Sequence, residues 1–377
     1  MKSDTCREDD RKRKKYMILT NHSYMLWQFR RELIQDLLQK GSVILVMPFV
    51  GHEDDFRELG CKCINIRLDR RGMNPKTDMA LFKMYLRLLK HEHPDMVITY
   101  SIKPNIYGGF ACERLGIPYC CNVQGLGTAF QKKGLAQVVG LMYMAALKKA
   151  KTVFFENKSN AEEFIHRGIV GNERVKVLNG AGVNLEYFAY KEYPSEENSI
   201  HILYLGRIMR EKGMDELFQA AKQIKKKYGD RFILDLVGFF EDEYKDTVEM
   251  LVKEGIIVFH GFQEDPRPYY EKAHCVVLPS YHEGMSNVLL EAAATGRCVI
   301  TSDIPGCREA VEDGVSGYLV KVRDSEDLAD KIELFLGGDG PDSVEKRCSM
   351  GWCGRIRMQK RFDKNRVVAE SVRWIDG

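Results

Sequence analysis

Short apolar runs recur along the chain at intervals that suit parallel strands separated by helices. In the first half they are Tyr16–Leu19, Val43–Met47, Cys63–Ile66, Met96–Thr99, Tyr119–Val123 and Thr152–Phe155. These runs are continuous rather than alternating, as strands buried on both faces must be. Between them, apolar residues return at helical spacing over about Met25–Gln39, Thr77–Lys90, Pro104–Leu115 and Gly134–Ala150. A second series starts at Ile200–Leu205 and continues through Phe232–Val237, Ile256–Phe259, Cys275–Leu278, Cys298–Thr301 and Tyr318–Val320. Helical patterns then cover Ser325–Leu336, Asp342–Arg361 and Lys364–Trp374. Strand and helix in alternation build βαβ units around a parallel sheet. The polar, Pro-containing, Glu-rich stretch Ala189–Asn198 reads as a linker between the two series. The expected fold class is α/β, with two tandem Rossmann-like doubly wound domains. Residues 1–15 form a charged tail, 16–190 a first domain, 191–360 a second, and 361–377 a final helix.

Composition narrows the class. A chain of 377 residues suits two domains of ordinary size. Its 44% of hydrophobic residues and mean hydropathy of −0.33 describe a globular chain with ample core. The longest apolar stretch, Gly134 to Leu147, is too short to span a bilayer, and the amino end is charged where a secretory signal would be apolar. Eleven cysteines without a CxxC pair point to reduced, buried thiols and a cytoplasmic protein rather than a disulfide framework. Residues 1–190 carry 30 Lys and Arg against 20 Asp and Glu, a surplus of ten, while the remainder carries 27 against 34. The net charge of +3 therefore hides a basic half that suits an anionic partner.

The most informative chemistry is Glu283-Gly-Met-Ser-Asn-Val-Leu-Leu-Glu291, a polar loop that follows a strand and opens a helix ending near Gly296. The first turn of a helix offers unpaired N–H groups and the positive end of the macrodipole, which suit a diphosphate. Eight helical residues would separate the two carboxylates by roughly 12 Å, enough for a sugar at one end and a ribose at the other. Gly206-Arg207-Ile-Met-Arg-Glu-Lys212-Gly213 leaves an earlier strand of the same series and can turn two cations toward that diphosphate. Gly125-Leu-Gly127 lacks the third glycine and the strand context of a dinucleotide fingerprint, and GxxxxGK[ST] is absent. His91-Glu92-His93 has no third ligand spaced nearby and reads as a helix end, not a metal site.

Together these segments resemble the donor site of family 4 glycosyltransferases with the GT-B fold. Asp303-Ile-Pro-Gly306-Cys-Arg-Glu309 and Gly180-Ala-Gly182-Val-Asn184 extend the resemblance through the second half. In the first half, Thr99 through Gly108 and Val123-Gln-Gly125-Leu-Gly127 look like bacterial members that build capsule, exopolysaccharide or glycan repeats on polyprenyl carriers, N-acetylgalactosaminyltransferases among them. The resemblance implies two domains facing a cleft, with the C-terminal helix returning to the first. It gives Arg207 and Lys212 the donor diphosphate, Glu283 the hydroxyls of the transferred sugar, and Glu291 the ribose. Gly206 and the backbone of Gly284, Met285, Ser286, Asn287 and Val288 would meet sugar and phosphate, and Phe262 would lie near the nucleobase. His22, Ser23, Lys103, Asn105 and Gly125 are acceptor-side candidates, although the loop at Asn21 lacks the glycine that relatives often carry there.

The resemblance also implies retention of anomeric configuration. The cations and helix dipole can stabilise the leaving diphosphate without a metal, the chain has no DxD cluster, and no separate cofactor is expected. The partners expected are a nucleotide sugar, UDP-linked, and a glycan or polyprenyl-diphosphate-linked acceptor, with no nucleic acid. Lys132, Lys133, Lys148, Lys149 and Lys151 flank an apolar helix, which suits peripheral docking on an anionic membrane face. A nucleotide-sugar 2-epimerase and a non-catalytic nucleotide-sugar-binding protein are the alternatives.

Overall fold

The computed structural model describes residues 13–69, 72, 74–126, 130, 133–197, 199–337 and 341–377. Residues 1–12 of the expected charged tail, Gly127 and Lys132 lie outside them. Two compact units emerge. The first comprises residues 1–155, Ala161–Val177 and Val368–Gly377, and the second Glu156–Asn160 and Leu178–Val367.

The first unit is built on seven parallel strands: β1 (Lys14–Leu19), β2 (Gly41–Met47), β3 (Lys62–Asn65), β4 (Met96–Tyr100), β5 (Tyr119–Val123), β6 (Thr152–Phe155) and β7 (Val175–Val177). Their order is β3-β2-β1-β4-β5-β6-β7. Six of them fall on the continuous apolar runs. The seventh, Val-Lys-Val, is a short edge strand whose three residues carry no buried-strand signal. The connecting helices are α1 (Ser23–Lys40), α2 (Glu53–Glu58), α3 (Pro75–Glu92), α4 (Gly109–Leu115), α5 (Lys133–Ala146) and α6 (Lys158–His166). The helical pattern from Pro104 opens on a π-helical turn, Pro104–Gly108, before α4.

The second unit has six parallel strands: β8 (Ile200–Leu205), β9 (Phe232–Val237), β10 (Ile257–Gly261), β11 (Cys275–Leu278), β12 (Cys298–Ser302) and β13 (Gly317–Val320). They run in the order β10-β9-β8-β11-β12-β13, the doubly wound Rossmann order. Its helices are α7 (Met214–Tyr228), α8 (Lys245–Lys253), α9 (Arg267–Lys272), α10 (Asn287–Ala294), α11 (Ser325–Leu336) and α12 (Pro341–Arg357). The last helix, α13 (Lys364–Asp376), gives its residues from Val368 onward to the first unit. There Asp376 accepts from the Tyr16 hydroxyl at 2.7 Å and pairs with Lys14, while Lys151 bonds the Ile375 carbonyl.

The units divide after Val177, earlier than the polar stretch Ala189–Asn198 suggests. Packing explains the difference. Val183 and Phe188 belong to the second hydrophobic core, and Arg355 donates to the carbonyls of Leu185 and Phe188. The linker-like stretch is itself tied down: Arg297 binds the carbonyls of Lys191 and Glu192, and Glu196 pairs with the buried Arg347. Of the ten described cysteines, all free, eight are buried. No described helix is long and apolar enough to cross a membrane.

Candidate active site

In the second unit, chain order reverses between β8 and β11, which are hydrogen-bonded neighbours. Ligands of doubly wound sheets bind beyond the carboxyl ends of strands at such a switch point. The two motifs singled out in the sequence leave those two strands. The β8 loop ends in a single turn, Arg210–Lys212, and Gly213 follows with φ +73. A Cβ on Gly213 would fall 2.2 Å from the Pro279 carbonyl oxygen, so only glycine lets the β8 loop lie against the β11 loop. Tyr281 N–H donates to the Glu211 carbonyl at 2.9 Å, and its hydroxyl donates to Glu216. This contact brings Lys212 Nζ to 2.5 Å from Glu283 Oε1, with both side chains largely buried. Arg207 leaves the same loop. The buried Tyr204 hydroxyl holds its carbonyl at 2.6 Å, and its guanidinium pairs with Glu241 at 2.7 Å.

Gly284 to Ser286 form a braced loop. Asn157 donates its side-chain amide to the Gly284 carbonyl. Gly306, at φ +85, approaches so closely that a Cβ would sit 2.4 Å from that same oxygen. Met285 is buried against Gly180. Ser286 N–H donates to the Gly306 carbonyl at 3.0 Å, which removes one donor from the expected row of ligand-facing amides. The first-turn N–H groups of Asn287 and Val288 have no carbonyl partner within α10, as at any helix start.

Two expectations change here. The helix begins at Asn287, so the helical part of the segment runs only from Asn287 to Glu291, a rise of roughly 6 Å. Glu291 is also not an open carboxylate: it is 5% exposed and accepts from the Tyr270 hydroxyl at 2.8 Å. Burial pushes its pKa up to about 7, against the opposing effects of the Tyr270 bond and the nearby Lys364 charge. Phe262, by contrast, is half exposed just beyond β10, its ring edge-on to Phe239 with centroids 6.0 Å apart.

Of the acceptor-side candidates, His22, Ser23, Lys103 and Asn105 lie at the corresponding switch point of the first unit, beyond β1 and β4. Several are committed to the fold. Asn105 is buried, linking Thr99, the Asn122 carbonyl and Tyr143, so it braces the π-helical turn and is not open to an acceptor. Lys103 pairs with Asp78 at 2.9 Å, both side chains mostly buried. His22 caps α1 by accepting from Tyr24 N–H, and the buried Ser23 accepts from Val50 N–H. Gly125 follows β5 and is half-buried. Ser101, at φ +73, donates to Asn21 across the switch point. Single-sequence reading missed Asn157, Glu241 and Arg323, whose guanidinium stacks 4.6 Å over Tyr281. None has a motif spacing that could have revealed it.

Residues 199–337 match the glycosyl transferases group 1 family. The second unit is a group 1 glycosyltransferase domain. The chain is 28% identical, over 84% of its length and 88% of the relative's, to the N,N'-diacetylbacillosaminyl-diphospho-undecaprenol alpha-1,3-N-acetylgalactosaminyltransferase of Campylobacter jejuni. It is 26% identical, over 78% and 80%, to the UDP-Gal:alpha-D-GlcNAc-diphosphoundecaprenol alpha-1,3-galactosyltransferase of Escherichia coli. Among solved structures, HepE of Anabaena in complex with UDP superposes with a TM-score of 0.77 at 17% identity, covering 95% of this chain and 98% of that one. The architecture is GT-B, and the chain is a glycosyltransferase. Within its group 1 domain, the Arg207, Lys212 and Glu283 side chains lie on the two loops of the β8–β11 switch point.

Proposed function

We propose that this glycosyltransferase moves a hexose or N-acetylhexosamine from a uridine diphosphate sugar onto a saccharide carried by a polyprenyl diphosphate, with retention of anomeric configuration. The observation that carries the donor reading is the meeting of Lys212 with Glu283 at the β8–β11 switch point, beside Arg207 and the first turn of α10. Breaking the sugar–phosphate bond leaves charge on the departing diphosphate. Arg207, Lys212 and the α10 dipole stabilise it there. When Lys212 turns to phosphate it leaves Glu283, whose carboxylate is then open to accept from the sugar hydroxyls. The acceptor hydroxyl attacks the anomeric carbon on the face the diphosphate leaves, and its proton passes to the leaving phosphate oxygen. In this scheme no metal and no separate cofactor is required.

Two diphosphoundecaprenol-dependent relatives support the acceptor class. A surface of the first unit supports docking at an anionic membrane face. Val138, Leu141 and Met144 are exposed along one side of α5, and Lys148 and Lys149 follow its end, also exposed. The test is transfer from radiolabelled UDP-sugars to polyprenyl-diphosphate saccharides. Arg207→Ala and Lys212→Ala should each lower the rate at least about tenfold at saturating acceptor, the effect of losing one charge-stabilising donor. Near-wild-type rates in both would refute the diphosphate assignment. Conversion of the sugar with no acceptor present would favour a 2-epimerase, and donor binding with neither transfer nor slow hydrolysis would favour a binding protein.

A further inference from the structure

The two β8-loop cations of the donor reading, Arg207 and Lys212, each rest on a carboxylate, and only one of those carboxylates has a place in that reading. Lys212 meets Glu283, and Arg207 meets Glu241. Glu241 lies on a segment laced to the arginine's own. Ile208 N–H donates to the Phe239 carbonyl at 2.8 Å, and Glu241 N–H donates back to the Ile208 carbonyl at 3.0 Å. Arg210 N–H donates to the Asp242 carboxylate at 2.8 Å, and Ile208 and Phe240 form an isolated parallel bridge. Gly206 and Gly238 touch so closely that a Cβ on Gly238 would fall 1.8 Å from the Gly206 oxygen. Backbone bonds therefore fix where the Glu241 side chain starts. Its carboxylate lies 2.7 Å from Arg207 Nη1 with little of the side chain exposed, whereas the arginine is 45% exposed.

We propose that Glu241 is a positioning residue that stands in for the donor's diphosphate on Arg207. Without a nucleotide it holds the guanidinium at the carboxyl end of β8. With one bound it competes with the diphosphate, because two anions that share a planar five-donor fork repel each other. Its consequence is weaker retention of the product diphosphate and faster turnover of the site. The inference rests on the donor-site reading given above.

Titration calorimetry with UDP and with uridine, on the wild type, Glu241→Gln and Glu241→Asp, tests it. Glu241→Gln should bind UDP about three- to tenfold more tightly than wild type, as expected for removing one screened like charge, with uridine binding unchanged. The gain should shrink in high salt, and the inhibition constant of UDP in the transfer assay should fall in parallel. Glu241→Asp, which keeps the charge, should return affinity toward wild type. A merely structural role moves the other way, weakening UDP and uridine together. Unchanged or weakened UDP binding in Glu241→Gln would overturn the proposal while leaving the donor site standing. A wild type that binds UDP no better than uridine would overturn both.

Discussion

Glu291 carries a pH dependence that its position alone creates. Its folded-state pKa of about 7 lies above the ordinary glutamate value of about 4.3. Between those values the folded protein holds a proton that the unfolded chain has released. Stability is thus greatest below the unfolded value and falls as pH rises through about 7. A shift of this size is worth on the order of 3 kcal/mol. Urea unfolding from pH 4.5 to 8 should show that decline in the wild type and a flatter profile in Glu291→Gln. Parallel profiles would show that the carboxyl titrates elsewhere. At this scale the sequence was legible in placement, since the motifs put Arg207, Lys212 and Glu283 on the two loops where the structure finds them. It was silent on Asn157 and Glu241, which reach the site through single contacts between segments far apart in the chain, and it could not tell that Asn105 is a brace.

Elements place these residues through the seam between two loops. Gly213 against Pro279 is the tightest point of that seam, and it aligns Lys212 with Glu283. Gly213→Ala should therefore cost more than a left-handed backbone penalty alone, on the order of 2–4 kcal/mol in all, and should weaken donor binding. Gly255→Ala is the reference: its φ is +67, but a Cβ there meets nothing within 4 Å. Its cost should stay near 1 kcal/mol, with donor binding unchanged. Equal costs in urea unfolding would sink the packing account. Strand positions, the edge strand β7 excepted, were read to within two residues at either end, because strands buried on both faces leave unbroken apolar runs. The start of α10 was not: Ser286 is a favoured cap residue, but its side chain makes no capping bond, and the bonds from Asn157 and Gly306 hold Gly284 and Ser286 outside the helix.

At the scale of the whole molecule, charge and exposed apolar surface coincide in the first unit. The surplus of ten basic residues in positions 1–190 falls on the chain that carries the exposed Val138, Leu141 and Met144 of α5. Apolar insertion and attraction to acidic lipid reinforce each other. Cosedimentation with vesicles containing phosphatidylglycerol should exceed that with neutral vesicles and fall as salt rises. Replacing Leu141 with Asp should reduce it severalfold without changing transfer to a soluble, short-chain acceptor. Binding indifferent to salt and lipid charge would exclude this surface as the docking face.

The sequence by itself determined the fold class, the two sheets and the two loops that leave β8 and β11. Hydrophobic periodicity and local turn chemistry are properties of neighbouring residues, and they survive in a single chain read end to end. Tertiary structure alone decided which side chains face each other across those loops. It paired Arg207 with Glu241, buried Glu291 beneath Tyr270, and gave Leu178–Tyr190 to the second unit. Such outcomes depend on close packing between distant segments, where a glycine's missing Cβ or one buried hydrogen bond settles the geometry, and no spacing along the chain encodes them.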